Sequence, residues 1–324
     1  MPSTITSTLL LIVFAAKRSG AVSLRPNDKL LRTSTRVLSV GPEQCRRERE
    51  HDAAIIYLAP PPQGDDWGDL QKSLETLMHL RDDGRAEVRV FYDREDTWSE
   101  EQLQTVLQRA APRDACVVPI QFRQLPADLA GTEPEWQKRS TWGYQHMCRF
   151  FFADIFQIPD LQKYTYWMRM DTDSYLTMDA VIDPFKEMDA NHNLVYLHNA
   201  ENKDCGDVAE GLRDLVTQYY EKVHSNSQGS ASFPPSNPDT ITLDHILPRE
   251  MHCVMGYYNN IEIGRLSAFR TAPMIAWRDA VLGSNGIYLH RWGDALLRRL
   301  SIELSGAETE PLPQELLRAY HHNR

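Results

Sequence analysis

The chain alternates short apolar runs with helix-forming segments, and this order restricts its fold more than any other feature. An apolar run at 53–59 stops at three prolines, as a buried strand does. Leucines at helical spacing follow, then a strand-like segment at 87–93 and a helix that starts at a capping box of Ser99 and Gln102. Strands that alternate with helices predict an α/β fold with a mostly parallel central sheet and helices on both faces.

The same alternation continues towards the end of the chain. We expect further strands at 116–122, 164–170 and 194–198, and helices near 142–156, 208–224, 272–282 and 294–304. A polar stretch at 225–239 is the one long internal loop, and such loops are usually functional or disordered. We find no repeat and no second linker, so a single domain is favoured.

The first 50 residues differ from the rest. An apolar run at 5–16 is shorter than the roughly 20 residues of a spanning helix and is closer to the core of a signal peptide. We therefore expect a signal peptide or short signal anchor at 1–18, a stem or linker at 19–50 and a folded domain at 51–324. This arrangement predicts entry into the secretory pathway and leaves open whether the chain is cleaved or anchored there.

Charge and cysteine content exclude several classes of protein. The chain of 324 residues has a net charge of −10, and its acidic excess lies after residue 50, which disfavours nucleic acid as a partner. The five cysteines are scattered without a CxxC pair, so neither a zinc site nor a disulfide framework is implied. Cys148 lies on an apolar helical face and is expected to be buried.

Two aspartates directly follow a predicted strand. Asp171 and Asp173 stand at the carboxyl end of the strand at 164–170, where open α/β sheets bind ligands. A D-x-D there can hold a hard divalent ion whose remaining ligands are phosphate oxygens. The alternative is a pair of solvated turn carboxylates.

Four other residues could take part in the chemistry of a site, and each also has a purely structural explanation. Glu262 points away from its apolar neighbours in a strand, and could simply face solvent. Asp294 could cap the helix that follows it instead of taking part in catalysis. His321 and His322 near the chain end could belong to a disordered tail.

Five segments together resemble, in order and spacing, the Golgi alpha-1,2-mannosyltransferases of glycosyltransferase family 15. The resemblance covers most of residues 51–322, and the Arg-Trp-Gly-Asp-Ala segment is its strongest part. It implies a GT-A fold and retaining, Mn²⁺-dependent transfer of mannose from GDP-mannose to the 2-hydroxyl of a mannoside on a glycoprotein or glycolipid. It also implies a place in the Golgi lumen, as in a single-pass type II membrane protein. The segments are 144–150, 166–171, 260–263, 287–295 and 319–322.

The resemblance also suggests roles for single residues. It places Asp171 and His322 beside the metal and Tyr144 at the donor phosphates. It gives Glu262 the position of a proposed nucleophile and Asp294 a position near the acceptor. A further family glutamate corresponds only loosely to Glu201 or Asp204 here.

Two arginines are candidates for pairing the donor phosphates. Arg149 and Arg169 both lie in matching segments, and either could equally be structural. The sequence does not choose between them.

The chain also departs from the family pattern. Asp171-Thr172 replaces Glu-Pro, one methylene shorter, which shifts the expected metal contact towards Asp173. Asn323 and Arg324 replace the His-Pro-Pro that follows the family histidines. The alternatives are therefore the same fold with another nucleotide-sugar donor, or an inactive relative that only binds glycan.

Overall fold

The computed structural model describes residues 43–129, 142–178, 183–226, 242–247 and 253–323. All of them lie in one compact unit, Thr35–Arg324. The expected signal segment at 1–18 and nearly all of the polar stretch at 225–239 lie outside the described residues. None of the helices within these ranges is both long and apolar enough to cross a membrane.

The described strands form a central sheet and a small second sheet. The central sheet has eight strands in the order β1-β4-β3-β2-β5-β8-β7-β9, and β6 pairs with β10 in the second. In chain order the strands are β1 (Gln44–Arg46), β2 (Ala53–Leu58), β3 (Ala86–Asp93), β4 (Ala115–Ile120), β5 (Tyr166–Met170), β6 (Ser174–Leu176), β7 (Leu194–Cys205), β8 (Cys253–Arg265), β9 (Glu308–Pro311) and β10 (Tyr320–His322).

Parallel pairing dominates the middle of the central sheet. Strand β2 runs parallel to β3 and β5, and β3 runs parallel to β4, whereas β8 is antiparallel to both β5 and β7. The carboxyl ends of β2, β3, β4 and β5 therefore meet at one edge. The predicted mostly parallel α/β sheet is confirmed.

Helices cover both faces of this sheet. Ile55 packs with Leu70 and Val106 in one core, while its neighbour Ile56 packs with Phe150 in the other. Alternate residues of a strand point to opposite faces, so a strand buried on both sides must be apolar throughout. The helices are α1 (Trp67–Thr76), α2 (Glu100–Arg109), α3 (Gly143–Phe152), α4 (Pro184–Ala190), α5 (Leu212–Asn226), α6 (Leu243–Ile246), α7 (Ala272–Ser284), α8 (Gly286–Leu289), α9 (Asp294–Ser305) and α10 (Gln314–Ala319).

Local signals placed several of these elements correctly. Helix α2 begins at the expected capping box: the Gln102 backbone donates to Ser99 Oγ over 3.2 Å, and the Ser99 backbone donates to Gln102 Oε1 over 2.9 Å. Strand β7 was expected to end at His198 but continues to Cys205, because its second half pairs with β8.

The structure contains two disulfides, which the scattered cysteines did not imply. Cys45 is bonded to Cys116 and Cys205 to Cys253, while Cys148 is a buried free thiol as expected. Both bridges join residues that are partners in strand ladders, which their spacing along the chain does not reveal. The first bridge ties β1 to the sheet, so folded structure begins before the expected boundary at residue 51.

Candidate functional site

A cleft of about 210 Å³ lies where strands β2 and β5 end. Leu58 and Met170 come from the two strand ends, and Met147 and Phe151 come from helix α3. Asp171 and Asp173 also line the cleft, as the position of the D-x-D at a strand end predicts.

Asp171 is held by two side chains in the cleft wall. Its Oδ1 accepts from Arg169 Nε at 2.7 Å, and its Oδ2 accepts from Asn260 Nδ2 at 2.9 Å. Burial raises the pKa of Asp171 to about 6, against the lowering effect of Arg169. The carboxylate is therefore fixed in place at neutral pH rather than solvated in a turn.

The pairing of strands in the second sheet places His322 next to the residues around Asp171. Strand β10 pairs antiparallel with β6, which puts His322 opposite Ser174. Its Nδ1 lies 3.3 Å from Asp173 Oδ1 and its Nε2 lies 3.1 Å from Asn260 Nδ2. The alternative of a disordered tail is thus wrong for His322, and strand pairing alone is enough to position it.

The donor set suits a divalent cation of the expected kind. Asp171 and Asp173 offer carboxylate oxygens and His322 offers an imidazole nitrogen, which together form a mixed O/N set compatible with Mn²⁺. Their ligand atoms are not gathered tightly. Within the described ranges, the only three ligand atoms of His, Cys, Asp or Glu mutually within 4.8 Å belong to Glu43 and the bridged Cys45 and Cys116. A cation would have to draw the three site residues closer together.

Arg169 is buried and lies among three carboxylates. Besides Asp171, its Nη1 donates to Asp294 and lies 3.7 Å from Glu262 Oε1. Its guanidinium also stacks on Phe151, 3.7 Å from the ring centre, and only 2% of the side chain is exposed. Of the two possibilities left open for Arg169, the structural one matches these contacts.

Glu262 lies wholly inside the protein. Its Oε2 accepts from Tyr196 Oη at 2.6 Å and from Arg298 Nε at 3.0 Å, and none of the residue is exposed. The alternative of a strand glutamate facing solvent is therefore wrong. Its Oε1 accepts no hydrogen bond and faces Arg169. Glu262 thus adds negative charge just behind the cleft.

Asp294 begins helix α9 but does not cap it. Gly293 occupies the N-cap position, and the Asp294 carboxylate instead accepts from Arg169 and, at 2.7 Å, from Asn259 Nδ2. The structure therefore favours a role for Asp294 in the buried polar network over the capping alternative.

Tyr144 lies beside Gly293 at the start of helix α9, and 48% of it is exposed. A Cβ on Gly293 would come within 3.2 Å of the Tyr144 hydroxyl and 3.9 Å of Asp204 Oδ2, so the missing side chain allows all three to approach. Burial raises the pKa of Asp204. Of the two residues that loosely match the further family glutamate, Asp204 is close to Tyr144, whereas Glu201 pairs with Arg299 at 3.1 Å.

Arg149 is placed apart from these groups. Its Nε lies 3.3 Å from Oδ2 of the buried Asp154, and the two side chains form an ion pair inside the fold. The structural alternative for this residue fits its position.

Four residues that hold the site together were not predicted from the sequence. Asn260 opens the matching segment 260–263, Asn259 directly precedes it, and Arg298 follows Asp294 by one helical turn. These spacings could have indicated the three residues. Tyr196 had no such signal, since its partner Glu262 lies across a strand pairing that the sequence does not specify.

The described fold and acid-lined cleft define a protein of the GT-A type. Residues 130–307, more than half of the chain, match the family model described as glycolipid 2-alpha-mannosyltransferase. The chain belongs to this family, which confirms the resemblance read from its motifs.

Known relatives agree with this assignment. The probable mannosyltransferase KTR3 of Saccharomyces cerevisiae is 26% identical over 50% of this chain and 38% of its own length. The O-glycoside alpha-1,2-mannosyltransferase omh1 of Schizosaccharomyces pombe is 23% identical over 78% of this chain and 64% of its own length. The matches thus span well under the full length of these relatives.

Two solved structures share the fold. Ktr4p of S. cerevisiae has a TM-score of 0.66 at 19% identity and covers 84% of this chain and 70% of that one. Core-mannan synthase A of Aspergillus fumigatus, in its Mn/GDP form, has a TM-score of 0.61 at 18% identity and covers 86% and 76% of the two chains.

Proposed function

We propose that this protein is a retaining alpha-1,2-mannosyltransferase that moves mannose from GDP-mannose to a mannoside of a glycoprotein or glycolipid, with Mn²⁺ as cofactor. The observation that carries the proposal is the meeting of Asp171, Asp173 and His322 at the edge where parallel strands end. Family membership and a relative named as an O-glycoside alpha-1,2-mannosyltransferase support the choice of sugar and linkage.

The acids and the histidine would hold the metal. Asp171, Asp173 and His322 supply its protein ligands, and Mn²⁺ bound there offsets the charge that develops on the departing diphosphate. Tyr144, about half exposed, would contact the donor phosphates. The structural similarity to a fungal core-mannan synthase, which was solved in its Mn/GDP form, supports this choice of metal and donor.

Two further carboxylates would act on the sugar. Glu262 lies behind the cleft wall with one oxygen free of hydrogen bonds, and its charge would stabilise an oxocarbenium-like transition state. Asp294, held by Asn259 and Arg169, would orient the acceptor.

We place the protein in the secretory pathway, as a resident of the Golgi lumen. Two disulfides support this, because such bonds persist in oxidising compartments. Protease protection of the tagged chain in intact microsomes tests it, and digestion without detergent would contradict it.

The function is tested by incubating the purified full chain with Mn²⁺, a mannoside and a panel of nucleotide sugars. Nucleoside diphosphate release is expected with GDP-mannose only, with Asp171→Asn as the inactive control. The replacement of the family glutamate by Asp171 makes another donor the second candidate, and release with a different nucleotide sugar would establish it. Release with none would contradict the transferase assignment.

A further inference from the structure

The side-chain amide of Asn260 bridges two of the proposed metal ligands. Its Nδ2 lies 2.9 Å from Asp171 Oδ2 and 3.1 Å from His322 Nε2. The main chain of Asn260 joins the same cluster, since its carbonyl accepts from the Asp171 backbone at 2.9 Å.

These contacts determine which ring nitrogen of His322 carries the proton. An amide NH₂ group only donates, so His322 Nε2 must accept and the ring proton must sit on Nδ1, which faces Asp173 Oδ1 at 3.3 Å. An unprotonated ring nitrogen has one lone pair. That lone pair can accept from Asn260 or bind a cation, but not both.

We propose that Asn260 is a positioning residue that stands in for the cation: its amide satisfies Asp171 and His322 in the metal-free protein and must be displaced when Mn²⁺ binds. The inference rests on the metal site of the proposed function. It also explains why the ligand atoms of the site are not gathered tightly, because a bridging amide keeps them further apart than a shared ion would.

A thermodynamic consequence follows from this arrangement. Removing the amide costs the metal-free protein two hydrogen bonds, whereas the metal-bound protein has already given up at least the one to His322. The variant should therefore be less stable without metal and should bind Mn²⁺ more tightly, since a ligand's affinity and the stabilisation it gives are linked. A net hydrogen bond of ordinary strength corresponds to a change of about fivefold in affinity.

The experiment measures Mn²⁺ alone, by electron paramagnetic resonance of the free ion, and the thermal midpoint of the metal-free full chain. Asn260→Ala is expected to lower the midpoint and to lower the Kd for Mn²⁺ by about fivefold. Asn260→Leu, of nearly the same size, removes the donor without adding a metal ligand and should tighten binding by a similar factor. It decides the matter if the alanine variant does not fold.

Asn259→Ala is the matched control. Asn259 is the neighbouring asparagine, it donates to Asp294 instead, and its loss should lower the midpoint while leaving the Kd for Mn²⁺ unchanged. An unchanged or weaker affinity in the Asn260 variants would overturn the inference while leaving the metal site intact. No Mn²⁺ binding by the unaltered chain would overturn the metal site and this inference together.

Discussion

Arg169 Nε, near the end of strand β5, donates a 2.7 Å hydrogen bond to Oδ1 of Asp171, the residue that directly follows the strand. The same guanidinium donates to Asp294 and faces Glu262, so one buried cation sets the positions of three acids. The acids belong to three separate elements of the chain. Arg169 therefore ties the proposed metal site to the carboxylates that would act on the sugar.

Arg169→Lys tests whether this residue holds carboxylates or phosphates. A lysine lacks the planar fork, so we expect a loss of about 3 kcal/mol in the free energy of unfolding and weaker Mn²⁺ binding. Calorimetric titration with GDP in the absence of metal should give the unaltered affinity. A large loss of metal-free GDP binding, with stability unchanged, would make Arg169 a phosphate ligand instead.

Glu262→Gln should reduce kcat by about a hundredfold or more, because a buried carboxylate that faces Arg169 close behind the cleft is removed. The structure adds a stability cost of about 3 kcal/mol, since Arg298 would be left buried without its anion. Tyr196→Phe is the control: it removes one hydrogen bond to Glu262 and keeps the charge, so it should cost about 1 kcal/mol. Near-normal turnover in the glutamine variant at a temperature where it is folded would remove Glu262 from the mechanism.

The last strand of the chain is a structural element as well as a source of the histidine ligand. Ala319 is fully buried and β10 pairs with β6, so deleting residues 319–324 should lower the thermal midpoint of the metal-free protein. His322→Ala removes the hydrogen bond to Asn260, so it should lower the midpoint slightly, by less than the deletion does, and it should raise the Mn²⁺ requirement for activity. His321 is exposed, and His321→Ala should change neither quantity. A silent His322→Ala variant in a Mn²⁺ titration would exclude the histidine from the site.

The stability of the fold should fall in mild acid because of His198. Burial lowers the pKa of this residue, which stacks on Tyr257 with ring centres 4.3 Å apart. The unfolded chain binds the proton more readily, so the stabilisation is complete above about pH 6.5 and is lost as the pH falls below that value. Urea unfolding between about pH 7.5 and pH 5.5 should show this loss, and His198→Phe, which keeps the stack, should make it shallower. An identical slope in both proteins would assign the effect to other groups.

Periodicity and local motifs were enough to predict the layered α/β fold. Apolar strands buried on both faces and a capping box at Ser99 are written in contiguous sequence, so β2, β3 and α2 were placed nearly to the residue. The position of Asp171 and Asp173 likewise followed from predicting where a single strand ends. Local sequence was therefore enough to predict the fold and the two aspartates of the site.

Features that depend on pairing between distant strands were not predictable in this way. The bond between Cys45 and Cys116 and the approach of Tyr196 to Glu262 both follow from strand register, which a single sequence specifies weakly. The position of His322 was inferred from resemblance alone, and β10 supplies the physical cause. The buried partners of Arg169 likewise required the folded sheet.

The linkage in the reaction product is the decisive measurement for the proposed transfer. The purified full chain is incubated with GDP-mannose, Mn²⁺ and methyl α-mannoside, and the product is analysed by proton nuclear magnetic resonance. We expect a disaccharide with an α-1,2 linkage, formed with Mn²⁺ and absent both after chelation and with Asp171→Asn. A β-linked product, or an α-1,2 product formed at full rate after exhaustive chelation, would contradict it.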